Sequence, residues 1–341
     1  MGNHGLLYRL HEAAIRALYS EVKERINSTA ELLPGTPGTL VRRAGTGHQY
    51  WYRSYYPAPR KRSEQFVGTV SNAAAHEAMQ SRIALSEWTA KQVAALSKFG
   101  YQVADKVVAG VLVELHNRGM FAVDLVVVGG LAYRSWLNEY AVIAAVARTQ
   151  EHIELARRQS LKLPAPAAFL SMMQATQLPF TKIPGASRKV PSTAVKLQGS
   201  ELRVELFAPG AILGEIVAVP ELEWHAQAIP FYGYLLEGSR RAAMLAGGHC
   251  IPVMLPAVTR MIWYQLYAST RRGTDLALVE RDLLQAATLS AILIEQDGVV
   301  LRESYRSAPR ELRNAALLQL PRLERLLAEH PRARDEFRKL R

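Results

Sequence analysis

Apolar residues recur along this chain with two different periods, and the changes of period divide it. Leu6, Leu10, Ala14, Ala17 and Leu18 return at near-helical spacing, which predicts an amphipathic helix over residues 6–33, stopped by Pro34, Gly35, Pro37 and Gly38. The period then falls to two. TLVRR and HQYWYRSYY are β-rich runs on either side of AGTG, closed by Pro57 and Pro59, and they predict a β-hairpin. Residues 72–119 are alanine-rich and helical in period, ending at Arg118 and Gly119. In the next stretch, FAVDLVVVGGLAYRSWL, residues 124–128 form a short β-branched strand, Gly129 and Gly130 break it, and LAYRSWLNEY resumes as a helix.

Two later segments alternate polar and apolar positions. In EHIELARR, residues two apart share one strand face, so His152 and Glu154 point together while Ile153 points inward. SELRVELFAP repeats the arrangement, with Glu205 among Val204, Leu206 and Phe207. The tail, residues 302–341, carries eleven basic and six acidic residues on a leucine-bearing helical period, which suits a surface or partner-binding helix. These segments predict a mixed α/β (α+β) protein. Residues 1–104 hold a helix, a β-hairpin arm and a helical segment; residues 105–215 form the core; residues 216–341 form a mostly helical C-terminal domain.

Composition narrows the class. With 341 residues, 49% hydrophobic and 21% charged, the chain can bury a sizeable core and is neither disordered nor collagenous. The single Cys250 excludes a disulfide framework and multi-cysteine metal sites, and reads as a buried small hydrophobe. No apolar run approaches the roughly 20 residues of a membrane span, and the opening residues lack a leader pattern. The expectation is a soluble, cytoplasmic protein with no membrane partner.

Charge sharpens one segment. Lys plus Arg (42) exceeds Asp plus Glu (30), giving +12. Residues 41–63 concentrate the excess: Arg42, Arg43, Arg53, Arg60, Lys61 and Arg62 stand there without an acid, interleaved with Tyr50, Trp51, Tyr52, Tyr55 and Tyr56. Cations supply phosphate contacts and aromatic faces stack on unpaired bases. The hairpin is therefore a candidate nucleic-acid arm using Arg42, Arg43, Trp51, Arg53, Lys61 and Arg62; the plainer reading packs its aromatic residues on its own domain.

The strand that delivers Gly129 and Gly130 to a helix start leaves backbone N–H groups open to a phosphate. It lacks both the third glycine of a dinucleotide fingerprint and the lysine of a P-loop. Two strands that each present a glutamate make a candidate hard-cation site beside that turn, although strand glutamates ordinarily mark a solvated face.

In this order the pieces resemble the nucleotidyltransferase fold of the DNA polymerase β superfamily: a strand, Gly-Gly opening a helix, a strand with alternate ligands, and a later strand with a further carboxylate. PGTPGTLVRR, YWYRSYY, PSTAVKLQGSELRVELFAP, GGHCIPVMLP and RDLLQAA look like a family of bacterial nucleotidyltransferase-like proteins, over roughly residues 33–320. The resemblance implies binding of a nucleoside triphosphate and nucleotidyl transfer to a hydroxyl acceptor with divalent Mg or Mn. It carries metal roles onto His152, Glu154 and Glu205, of which Glu154 and Glu205 are catalytic, and nucleotide contacts onto Gly129, Gly130, Arg134, Ser192 and Lys196.

The sequence departs from the family pattern in three places. His152 stands where a carboxylate is usual, and the other two positions are glutamates rather than aspartates; Glu151 adjoins the first position with the opposite parity. Tyr264 and Gln265 stand where a His-Lys pair is expected, and Arg281-Asp282 where Lys-Asp is usual, leaving Arg271, Arg272 and Arg281 as replacement cations. These departures support an alternative: a catalytically inactive nucleotidyltransferase-like protein that binds nucleic acid through the arm, or a protein partner through its C-terminal helices.

Overall fold

The computed structural model describes residues 6–45, 47–58, 60–144, 152–185, 187 and 189–340. The chain opens with β1 (Tyr8–Leu10) and α1 (Ala13–Asn27), not with one helix over 6–33. Leu7 is buried while Leu6 and Leu10 are exposed, and residues 8–10 are held extended by pairing with residues 142–144, a long-range contact that overrides the local helical spacing. Three antiparallel strands follow, β2 (Thr39–Gly45), β3 (His48–Ala58) and β4 (Lys61–Thr69), with β3 in the middle. The predicted hairpin thus gains a third strand from KRSEQFVGT, whose charged residues hide its alternation. The helical stretch 72–119 divides into α2 (Ala73–Lys98) and α3 (Lys106–Asn117). Each starts at a side-chain cap: Asn72 accepts from the Ala75 amide at 3.0 Å and Asp105 from the Val107 amide at 2.8 Å.

Next come β5 (Leu125–Val127), α4 (Gly129–Glu139), β6 (Val142–Ala144), β7 (Ile153–Arg157), α5 (Phe169–Ala175), β8 (Phe180–Lys182), β9 (Ala194–Leu197), β10 (Arg203–Pro209), β11 (Ile216–Val219) and β12 (Trp224–Ile229). β6 pairs antiparallel with β1. The others build the central seven-stranded sheet in the order β11-β12-β10-β7-β5, with β9 also pairing with β10, and β8 with β9. β7 and β10 run parallel, and β5 is antiparallel to β7. Their inward residues, including Val126, Ile153, Leu155, Val204 and Leu206, are fully or almost fully buried.

After the short α6 (Tyr232–Leu235), the hairpin of β13 (Arg240–Ala246) and β14 (His249–Leu255) packs against α3, α4 and β5. The helical part begins at α7 (Val258–Ser269) and continues through α8 (Leu276–Gln296), α9 (Leu301–Ser307), α10 (Arg310–Leu326) and α11 (Pro331–Arg338). Trp263 on α7 is fully buried, stacks edge-on against Tyr305 and Phe337, and donates to Ser304 Oγ at 3.1 Å, joining α7, α9 and α11. One continuous apolar core runs from Leu7 to Phe337. Among the described residues no helix is long and apolar enough to cross a membrane.

Candidate functional site

The site is built by strand register. Glu205 on β10 stands directly beside Glu154 on β7, and because neighbouring strand positions share a face, both carboxylates lie on one side of the sheet. On the other edge of β7, the Val128 amide donates to the Glu154 carbonyl at 2.9 Å. The next residue, Gly129, is thereby brought against the Glu154 side chain. A Cβ at Gly129 would overlap Glu154 Oε2, and the backbone there has φ +66°, so only glycine fits on both counts. Above Gly130 the space is open for 4 Å. The helix α4 starts with no side-chain cap, and its first amides and its dipole make that opening attractive to an anion.

The helices supply the opposite wall. Burial, and then the neighbouring Glu205, pushes the Glu154 carboxyl up to about 7, against the pull of Arg281 and Arg272. Asp282, buried on α8, organises both arginines: Arg272 Nε donates to its Oδ2 at 2.8 Å, and Arg281 donates to its Oδ1 through Nη2 at 2.8 Å and Nε at 3.1 Å. Burial also raises the Tyr232 and Tyr264 hydroxyls, which lie within Coulombic reach of Glu154 and Arg272. Gln265, beside Tyr264 in sequence, turns instead to Gln285 at 2.8 Å. Arg272 and Arg281 thus stand at the carboxylate pair, while Arg271 lies 5.2 Å over the Tyr267 ring.

The donor set bears on metal binding. His152 precedes β7 on the Glu154 parity, and its buried Nδ1 has no partner. Among the described residues no three His, Cys, Asp or Glu side chains gather closely enough to hold one ion, so His152, Glu154 and Glu205 do not form a joint ligand set. Asp282 is committed to its two arginines. Glu151 lies outside the described residues. Two carboxylates fit one Mg²⁺ that arrives with phosphate oxygens and keeps its waters, rather than a preassembled two-ion centre.

Other residues expected at the site are engaged elsewhere. Arg134, one turn into α4, donates to the Val103 carbonyl at 3.1 Å. Ser192 directs its hydroxyl at the Ile183 and Ala194 carbonyls, 2.6 and 2.8 Å away, fastening the β8–β9 pair. Lys196, on β9 between β8 and β10, pairs with Glu201 at 3.2 Å. Sequence reasoning missed Tyr232, which carried no signal beyond its aromatic type, and noted Asp282 only as the neighbour of Arg281.

The arm differs from its sequence reading in one residue above all. Arg53 is fully buried: its Nε donates to the Pro37 carbonyl at 2.8 Å, Nη2 to the Pro34 and Thr36 carbonyls at 2.7 Å each, and Nη1 to Gln65 at 2.9 Å. Burial pulls its pKa down to about 10, and it does not reach the surface to meet a phosphate. Arg43 and Arg62 both pair with Glu64, one residue past the acid-free window, and Lys61 donates to the Gln177 carbonyl. Trp51 lies against His76, ring centroids 4.5 Å apart and tilted by 36°, with Arg42 over its ring at 4.8 Å. The face left open carries Tyr50, Tyr52 and Phe66, their rings 5.5 to 5.9 Å apart, with Phe66 56% exposed.

A family model described as nucleotidyltransferase matches residues 106–310, well over half the chain. It spans the Gly129–Gly130 turn, both glutamates and the Arg272, Arg281 and Asp282 cluster. Neither the curated proteins nor the solved structures contain a significant match.

Proposed function

We propose, from the premise that this chain belongs to that nucleotidyltransferase family, that the cleft between the sheet and α7–α8 binds a nucleoside triphosphate and transfers its nucleotidyl group to a hydroxyl acceptor. The observation that carries this is the registration of Glu154 with Glu205 against the Gly129–Gly130 turn, with Arg272 and Arg281 held across from them. The first amides of α4 receive phosphate oxygens above Gly130. Arg272 and Arg281, aimed by Asp282, offset the charge of the polyphosphate. Glu154, titrating near 7, is suited to take the proton of the attacking hydroxyl.

The acceptor oxygen bonds to the α-phosphorus and loses its proton to Glu154. The bridging bond to the β-phosphate breaks, and its electron pair leaves with pyrophosphate. Glu154 and Glu205 would hold the Mg²⁺ that accompanies the triphosphate, and that ion supplies charge neutralisation at the leaving group. The core belongs, on this reading, to the DNA polymerase β type. Nucleotides labelled at the α-phosphate, offered with oligonucleotide 3′ ends, hydroxyl peptides and the protein itself as acceptors, test the activity. Label transfer with pyrophosphate release, lost by at least about a hundredfold in Glu205→Gln with the fold intact, supports it; transfer that survives Glu205→Gln contradicts it.

A second reading is favoured by the incomplete metal-ligand set and the open aromatic face of the arm. It is a nucleotide-binding protein that performs no transfer and holds single-stranded nucleic acid on β2–β4. Tight triphosphate binding without pyrophosphate release for any acceptor would select it.

A further inference from the structure

The aromatic side chains beside the carboxylate cleft form a connected wall. Phe207 lies two residues beyond Glu205 on the same face of β10 and meets the Tyr232 ring edge-on at 5.9 Å. Tyr232 meets Tyr264 at 5.3 Å, Tyr264 meets Tyr267 at 6.1 Å, and Tyr267 meets Phe231 at 4.9 Å and 77°. Tyr232 is buried at the carboxylate end, whereas Phe231, Tyr264 and Tyr267 are only partly covered. The series therefore runs from a buried ring near Glu205 outward to partly exposed rings.

Two details distinguish the outer end from ordinary packing. Phe231 has φ +64°, left-handed backbone that costs a bulky residue about 1 kcal/mol or more where glycine would sit freely. Its carbonyl caps α6, accepting from the Tyr234 and Leu235 amides; that cap needs the backbone conformation but not a phenyl ring. The exposed Arg271 guanidinium lies 5.2 Å over the Tyr267 ring. A planar cationic side chain that is itself exposed thus lies against one face of that ring, the kind of contact by which an aromatic heterocycle would stack there.

We propose that Phe231 and Tyr267 form the stacking surface for the nucleobase of the nucleoside triphosphate, with Arg271 covering it. This rests on the triphosphate reading of the cleft and adds the residues that distinguish a nucleotide from a bare polyphosphate. The phosphates lie towards Gly130, Arg272 and Arg281, and the base lies outward along the aromatic wall. Stacking is tolerant of base identity, so the surface favours nucleosides as a class over inorganic tripolyphosphate.

Calorimetric titration of the full chain with the magnesium complexes of ATP, GTP, CTP, UTP and inorganic tripolyphosphate tests this. The wild-type protein is expected to bind at least one nucleotide about tenfold or more tightly than tripolyphosphate. Tyr267→Ala is expected to lower that nucleotide affinity roughly tenfold while leaving tripolyphosphate affinity unchanged, and Tyr267→Phe to retain both. Phe231→Gly removes the ring while relieving the backbone, so it keeps the fold and should show the same selective loss. Equal losses for nucleotide and tripolyphosphate, or no loss in either variant, would overturn the stacking surface. Equal wild-type affinity for both ligands would overturn it too and leave the phosphate site standing; binding of neither would remove the phosphate site and the wall together.

Discussion

At Gly129 a side chain and the Glu154 carboxylate compete for one volume. Gly129→Ala would place a methyl group on the carboxylate at a backbone φ of +66°, so it should lower the melting temperature and displace Glu154; the cost expected is about 1–3 kcal/mol. Gly130→Val meets open space and should leave the melt nearly unchanged while weakening triphosphate binding, a contrast that calorimetry beside thermal melts measures. Glu154 adds a pH test. Its carboxyl is raised from 4.5 to about 7 in the folded protein, so the native state binds a proton that the unfolded state releases. Stability should be highest below about pH 4.5 on this group's account and decline between there and pH 7. Glu154→Gln should flatten that part of the profile and raise the melting temperature at pH 8; an unaltered profile would count against a buried, raised carboxyl. The two glutamates were legible in the sequence because strand alternation fixes which side chains share a face. Arg272 and Arg281 were legible only as replacement cations, because their meeting on Asp282 depends on the loop between α7 and α8 folding Arg272 back against α8.

At the scale of elements, the β2–β4 sheet separates what composition says from what position allows. The acid-free window ended at Ser63, and Glu64 next to it pairs with two of the window's arginines. A further cation, Arg53, is a structural clamp on the 34–37 turn. Arg53→Ala should therefore destabilise the chain by about 2–4 kcal/mol, because it leaves buried carbonyls without donors, while leaving the salt slope of any nucleic-acid binding unchanged. Arg42→Ala combined with Lys61→Ala should do the reverse, reducing that slope by up to about two with little change in melting. Titrations at several salt concentrations, run beside melts, separate the two. Hydrophobic period identified α2, α3, β5, α4, β7 and β10 correctly in kind. It missed β1 because three residues are too short to outweigh a helical spacing, and it missed β4 because Lys61, Arg62 and Glu64 interrupt the alternation.

For the whole molecule, the site exists only where distant parts meet: the sheet brings Glu154 and Glu205 to the Gly129 turn, and the helical part returns Arg272 and Arg281 to them. The expected ordering of an arm, a central region and helices read those parts one by one, and pairings more than a hundred residues apart left no local signal. Asp282→Asn tests the joint. It weakens the fixing of both arginines without removing either, and should reduce triphosphate affinity together with stability, the latter by about 1–3 kcal/mol; unchanged binding would mean that the arginines do not face the phosphates. The central claim is tested most directly by a crystal structure of the protein with a non-hydrolysable nucleoside triphosphate and Mg²⁺. The account predicts the phosphates between Gly130 and the Arg272–Arg281 pair, with Glu154 and Glu205 beside the α-phosphate. A triphosphate bound elsewhere on the chain, with those glutamates facing only solvent, would contradict it.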